Sequence, residues 1–367
     1  MKIDRITISR HRIDLDPPFF PAWDGRACDH FDATIVRVET DEGLVGIGSG
    51  DTMLGFAGHE ELFIGRDPLD LDRHHAVLSN LNFHFGRCWP LDLALWDLAG
   101  KAAGKPVWKL LGGHSDRVRA YASSATLRDA GAMAETAQQF REQGFKAMKI
   151  RFHHADWRDD LAAVETVRRT PGDGLTLMVD CNQGWRMPWD TEEPWQFFKA
   201  MEVAVALHDL GVFWMEEPLH RGNYAGMTAL RDATSIRIAG AEMAREIHEL
   251  DALMDQGCVD VLQPDVTLAG GITGLVPIAR RALDEDLIFT PHTWSDGMGV
   301  IANTHLAAGL TNPPYLEFPF DPPQWTLARR DFMLTTPFDL VDGWMVLSDA
   351  PGLGFDLDEE KLAATRL

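Results

Sequence analysis

Leu175-Thr-Leu-Met-Val-Asp180, running on into Cys181-Asn-Gln-Gly-Trp185, is an apolar, strand-like run that stops on an acid. Two further runs do the same. Val212-Phe-Trp-Met ends at Glu216, inside Glu216-Glu217-Pro218, and Arg237-Ile-Ala-Gly-Ala ends at Glu242. In a parallel barrel the carboxyl ends of successive strands converge on one face, where active sites sit. Three carboxylates brought together there repel one another unless a hard, oxygen-seeking dication neutralises them, and Mg²⁺ suits that role best. Asp180, Glu216 and Glu242 are therefore the expected metal ligands.

The rest of the second half fits a barrel. Strand-like runs recur at Val118–Ser123, Lys146–Phe152, Leu175–Asn182, Val212–Pro218, Arg237–Glu242, Val259–Asp265, Leu287–His292 and Pro314–Phe318. Amphipathic helical patterns such as Ala132–Glu142, Leu161–Arg169 and Trp195–Leu210 fall between most of them. Eight such repeats make a β/α barrel and not an open dinucleotide-binding sheet. Before residue 118 the pattern differs. Lys2–Ile13 and Ala33–Thr40 alternate like strands, Asp41-Glu-Gly43 is a turn and Leu44–Gly48 returns, giving a small antiparallel sheet. The run Gly46-Ile-Gly48-Ser-Gly50 lacks the spacing of a nucleotide loop. Trp89 to Leu111 reads as a helical scaffold without a chemical cluster, and Pro17–Arg26 as an aromatic loop that suits either a lid over a pocket or simple packing. The expected parts are a cap over 1–117, a barrel over 118–325 and a tail over 326–367 that folds back on the cap.

Composition excludes several partners. The chain of 367 residues carries a formal net charge of -22, against nucleic acid or an anionic membrane surface. No apolar run is long enough to span a bilayer, and the N-terminus lacks a signal-peptide core. The four cysteines are scattered, without a CxxC pair, which points to a reducing compartment and a cytoplasmic protein. The adjacent pairs His74-His75 and His153-His154 point opposite ways in extended chain and suggest packing, not zinc.

The other strand ends supply acid–base groups. Lys149 and Arg151 share one face at the period-two spacing. Asp265 ends one run and His292 the next, close enough for the acid to hold one ring nitrogen while the other moves a proton. Glu317 closes the last run. A dication on one side, a His–Asp pair on another and a Lys/Arg pair opposite suit proton abstraction beside a carboxylate, through an enediolate.

Together these motifs resemble the mandelate racemase subgroup of the enolase superfamily. The matches are Ala94-Leu-Trp-Asp-Leu-Ala-Gly-Lys101, Pro106 to Gly113, Gly144-Phe-Lys-Ala-Met-Lys149, Val179–Trp185, Trp214–Pro218, Gly240-Ala-Glu242, Gln263-Pro-Asp265 with Gly270–Gly274, His292 and Glu317. The resemblance implies a (β/α)7β TIM-like barrel under an N-terminal α+β capping domain, with Mg²⁺ on Asp180, Glu216 and Glu242. It implies a His292–Asp265 dyad, Glu317 hydrogen-bonding the substrate carboxylate, and Asn182 as a polar group near metal and substrate. Trp23, Arg26 and the segment Thr52–His59 fall where such proteins select substrate. The implied reaction is dehydration of a small-molecule sugar acid to a 2-keto-3-deoxy acid, by an enzyme expected to be a homo-oligomer. The alternatives are a racemase, epimerase or cycloisomerase using the same enediolate, and a non-catalytic sugar-acid binding protein. One position departs from the subgroup, whose strand usually reads Lys-x-Lys: Arg151 replaces the second lysine. A guanidinium cannot collect a proton at neutral pH, so two-base racemisation is disfavoured and His292 is the expected base.

Overall fold

The computed structural model describes residues 1–170 and 174–367. Strands β1 (Ile3–Phe19), β2 (Cys28–Thr40) and β3 (Val45–Gly50) form an antiparallel sheet in that order. Helices α1 (Leu71–Phe85), α2 (Pro90–Ala103) and the short α3 (Val107–Leu110) complete the cap. Its own core joins Val36 and Val38 of the sheet to Leu78, Leu91, Leu95 and Leu98 of the helices. The glycine run on β3 is a packing surface for α2. A Cβ at Gly46 would lie 2.1 Å from the Ala94 carbonyl oxygen, and one at Gly48 2.0 Å from that of Pro90. β1 extends past the expected strand, because Phe19 still pairs with Cys28 beyond an irregularity after Asp14. The aromatic loop is correspondingly shorter, from Phe20 to Ala27.

The barrel has the expected architecture. Its strands are β4 (Arg117–Ser123), β5 (Ala147–Arg151), β6 (Thr176–Asp180), β7 (Trp214–Glu216), β8 (Arg237–Gly240), β9 (Val261–Leu262), β10 (Ile288–Phe289) and β11 (Leu316–Pro319). Between them run α4 (Ala130–Glu142), α5 (Trp157–Arg169), α6 (Phe197–Asp209), α7 (Tyr224–Ala233), α8 (Ile247–Asp255), α9 (Gly271–Asp284) and α10 (Gly297–Leu306). All ladders among these strands are parallel, β4 to β10 in order, with β11 on the free side of β4. β10 and β11 close the ring through side chains: Thr290 Oγ1 donates to the Tyr315 carbonyl at 2.8 Å, and Thr293 Oγ1 to that of Glu317 at 2.9 Å.

Residues 326–367 divide their contacts and do not pack on the cap alone. After α11 (Leu327–Arg330), the hairpin β12 (Leu340–Val341) and β13 (Trp344–Val346) adds antiparallel to β4. α12 (Glu359–Thr365) reaches the cap sheet, where Arg37 pairs with Glu359 at 2.7 Å and His11 Nδ1 lies 3.0 Å from the Leu362 carbonyl, and Arg329 of α11 donates to the Pro17 carbonyl of β1 at 2.9 Å. No helix among the described residues is long and apolar enough to cross a membrane.

Cap and barrel are clasped by α2, which is therefore more than scaffold. The Thr273 amide and hydroxyl, in the first turn of α9, donate to the buried Asp92 carboxylate at 3.1 and 2.6 Å. Trp96 Nε1 donates to Thr273 Oγ1 at 2.9 Å. Gly271 makes room for the acid, since a Cβ there would sit 2.3 Å from Asp92 Oδ2. Asp92 thus supplies, from another domain, the capping acceptor that Gly270 lacks at the head of α9.

A second joint is fixed by a neutral histidine. His305 on α10 is fully buried, accepts from the Trp108 amide at 3.0 Å through Nδ1, and donates from Nε2 to the Leu353 carbonyl at 3.1 Å. Burial lowers its pKa to about 4. Between pH 4 and the unfolded value near 6.5 the unfolded chain binds a proton that the folded chain refuses, so stability falls as pH falls. Wild type should lose about 3 kcal/mol relative to His305→Gln over that interval, from 1.36 kcal/mol per unit. Urea unfolding of both proteins at stepped pH checks this, and parallel curves would contradict it.

Candidate active site

The site is built by the period-two alternation of the barrel strands. Tyr121, Ala147, Met178, Trp214, Ala239 and Val261, one from each of β4 to β9, point inward and form an apolar floor. Two residues further along, the same inward face carries Ser123, Lys149, Asp180, Glu216 and Gln263, all at most 1% exposed. Tyr315, just before β11, and Glu317 on it repeat the step. A dry floor under a polar layer places every charge in a low-dielectric setting, where unpaired groups are costly.

Asp180, Glu216 and Glu242 come together, with one oxygen from each lying within 4.8 Å of the others. Asp180 and Glu216 are the last residues of β6 and β7, whereas Glu242 lies just past β8, in the loop. At all three strand ends a non-glycine residue takes a left-handed backbone: Asn182 (φ 49°), Glu217 (φ 46°) and Ala241 (φ 97°). Such conformations cost of order 1–3 kcal/mol each and persist where the surroundings over-determine them. Glu242 receives Trp185 Nε1 on Oε1 at 2.7 Å, while its Oε2 is buried without a partner. Both side-chain polar atoms of Asn182 are likewise buried and unpartnered. An all-oxygen, trianionic donor set with orphaned acceptors fits a hard dication such as Mg²⁺.

Lys149 and Arg151 stand among these acids, not opposite them as the sequence suggested. Lys149 Nζ lies 2.7 Å from Glu216 Oε1, 2.8 Å from Glu317 Oε1 and 3.6 Å from Asp180 Oδ2. The Arg151 guanidinium pairs with Asp180, donates from Nε to the Ser124 carbonyl at 3.0 Å, and faces Trp23 at 4.8 Å. Burial works to lower both cations, but the surrounding carboxylates prevail and hold them above their ordinary pKa values. Burial raises Glu216 to about 8 against the pull of Lys149. Glu317 moves the other way. Burial opposes its ionisation, but Lys149, His292 and Arg151 keep it well below the usual carboxylate range. Its oxygens already accept from Ser123 Oγ at 2.7 Å and the Thr293 amide at 2.9 Å.

His292 Nδ1 sits 3.0 Å from Asp265 Oδ2, leaving Nε2 directed between Glu242 Oε2 (3.7 Å) and Glu317 Oε2 (4.0 Å). Asp265 is itself fixed by the Thr267 amide and hydroxyl, both 2.8 Å away, and by Asn303 Nδ2 at 2.9 Å. Burial lowers the imidazole pKa, but Glu242, Glu317 and the Asp265 hydrogen bond outweigh it and raise it to about 9. A cation held among those carboxylates would weaken their pull on the imidazole.

Above this layer lies a cavity of about 280 Å³ lined in part by the buried Arg151, Glu242 and His292. Trp23 lines it, packed edge-on against Trp294 at 5.0 Å, and Phe19 and Trp325 extend the aromatic wall. The structure does not bring Arg26 into the cavity. Its guanidinium lies 4.1 Å over Trp189, whose Nε1 donates to Asp24 at 2.8 Å, so Arg26 fastens the cap loop to the β6–α6 loop from outside. The segment Thr52–His59 is absent from the cavity wall too, because Met53 and Phe56 are buried in the cap core. Trp185, Trp214 and Gln263 stand inside the motifs quoted from the sequence but carry no role there. Trp214 Nε1 and Gln263 Nε2 both donate to Glu216 Oε2, at 3.2 and 3.1 Å. The signal was available, since each lies in phase with an inward acid or inside a quoted motif.

Known proteins share this architecture. Residues 16–112 match the family described as mandelate racemase / muconate lactonizing enzyme, N-terminal domain, and residues 132–361 the family described as enolase C-terminal domain-like. D-galactarolactone cycloisomerase of Agrobacterium fabrum is 28% identical, over 99% of this chain and 98% of its own. Arabinonate dehydratase of Saccharolobus solfataricus is 30% identical, over 88% of this chain and 87% of its own. The crystal structure of L-talarate/galactarate dehydratase from Salmonella typhimurium LT2, liganded with Mg and L-lyxarohydroxamate, superposes with a TM-score of 0.85. It is 26% identical, and the match covers 100% of this chain and 93% of that one.

Proposed function

The chain belongs to the enolase superfamily, in the group of mandelate racemase and muconate lactonizing enzyme, and from that membership we propose that it is a Mg²⁺-dependent acid-sugar dehydratase. Asp180, Glu216 and Glu242 would hold the ion. Bound there, Mg²⁺ offsets the triad's charge and lowers the energy of the enediolate formed beside the substrate carboxylate. The chain's own groups do the rest. His292 Nε2 takes the α-proton, and Asp265 keeps the ring oriented and stabilises the imidazolium. The electron pair left on the α-carbon expels the β-hydroxyl, which leaves as water with the proton from His292. The enol that remains tautomerises to a 2-keto-3-deoxy acid. The Arg151 guanidinium faces the developing negative charge, and the aromatic wall excludes water.

The observation that supports this reading most is the pairing of one proton acceptor with one non-acceptor. His292 and the Arg151 guanidinium, which cannot collect a proton, line the same cavity. Inverting a stereocentre needs an acceptor and a donor on opposite faces; elimination needs one base. A full-length cycloisomerase relative gives the second reading, because that chemistry also starts from one base and the same enediolate. Incubating the Mg²⁺-loaded enzyme with a panel of mono- and diacid sugars decides between them. Semicarbazide-reactive 2-keto acid is expected. Exchange of the α-proton in D₂O without keto acid would turn the assignment to an isomerase, and neither signal from any acid would refute both.

A further inference from the structure

Resting on that reading, we propose that Arg245 is a second anion-binding point in the cavity, so that the preferred substrate is a sugar diacid and not a sugar monoacid. Apart from the catalytic base of the cavity, its charged lining groups are almost all committed. Asp32 pairs with Arg12 at 2.5 Å, Asp51 with Arg87, and Asp296 with Ser49 Oγ and the first amides of α10. His30 Nδ1 lies 2.5 Å from Asp29. Arg245 differs. Its side chain has no hydrogen-bond or ion-pair partner among the described residues, and its Nη1 is buried with its donors unused. Acids near it in sequence are occupied elsewhere: Glu246 accepts from Asn82 of the cap at 2.9 Å, and Glu249 receives the Arg245 and Glu246 amides and Arg221.

Position fixes what would use it. Arg245 lies three residues past Glu242 on the loop after β8, where Asn82 ties that loop to the cap. In an eight-strand ring, β8 stands across from β4. The aromatic wall of Trp23, Trp294 and Trp325 lies on the β4, β10 and β11 side. A hydroxy acid whose first carboxylate meets Arg151 and the acid triad shares its cavity with Arg245 and Arg87, and a second carboxylate at its other end would pair with Arg245. A half-buried guanidinium with a buried, unpartnered Nη1 binds a carboxylate through paired N–H donors and disfavours a primary alcohol, which leaves the charge unmet. Loss of such a charge-assisted contact is worth tenfold or more in affinity.

Binding tests this without turnover. Calorimetric titrations would use the Mg²⁺-loaded His292→Asn protein with six-carbon monoacids and the diacids of matching configuration. At least one diacid should bind tenfold or more tightly than its monoacid. Adding Arg245→Gln should lower diacid affinity at least tenfold and leave the monoacid within twofold, while Arg245→Lys restores part of the preference. Circular dichroism shows that the variants are folded. Equal binding of monoacid and diacid, an equal loss of both in Arg245→Gln, or no binding by any acid overturns the inference. Failure of the dehydratase reading shows separately, as missing keto acid in the wild-type assay despite diacid-selective binding.

Discussion

His292→Asn should lose α-proton exchange in D₂O and keto-acid formation together, each by about three orders of magnitude. General-base catalysis by a positioned side chain contributes roughly 10²–10⁴-fold. Both reactions share that one proton transfer. Asparagine has no basic nitrogen but preserves a donor toward Asp265 Oδ2, and Asp265 Oδ1 stays bound to Thr267 and Asn303. The fold and Mg²⁺ affinity should therefore survive. Exchange by the variant at a rate near wild type would place the base on the other face of the substrate, and the roles assigned to His292 and Asp265 would fail together.

Glu216→Gln should abolish turnover by a different route. The change removes a formal charge and a ligand oxygen from the triad. Altering groups that merely support metal ligands weakens binding 10–100-fold, so losing a ligand should weaken Mg²⁺ by at least ~100-fold. The variant should still fold. Both Glu216 oxygens accept hydrogen bonds, Oε1 from Lys149 at 2.7 Å and Oε2 from Trp214 and Gln263 at 3.2 and 3.1 Å, so an amide NH2 at either place meets a donor and stability should fall by about 1–3 kcal/mol. Mg²⁺ titration calorimetry beside a thermal melt separates the two effects. Unchanged Mg²⁺ affinity would show that the ion lies elsewhere.

The barrel and its acids were legible because they obey a short period. Met178 to Asp180 and Trp214 to Glu216 are each one inward step, so a strand-like run ending in an acid marks both the layer and the ligand. Glu242 was readable for a looser reason: the run continues in sequence although the ladder stops at Gly240. Facing was not readable. Position in a cap loop does not reveal whether a side chain turns in, like Trp23, or out, like Arg26, since loops lack a repeat. Which acids Lys149 and Arg151 meet was not readable for a related cause. Period two gives the face of a strand but not how far a long cation reaches across a barrel. The aromatic wall is assembled from positions 19, 23, 294 and 325, so no local pattern announces it.

The Asp92 contact bears on how such proteins can be recombined. Because the acid that finishes α9 comes from α2, neither portion of the chain is self-sufficient at that point. A cap transplanted from a relative without an acid in register would leave amides of the barrel unmet, and a barrel with a bulkier residue at 271 would refuse this cap. Inheritance is therefore constrained as a matched pair: the carboxylate and the glycine that admits it must travel together, even as the loops over the cavity diversify.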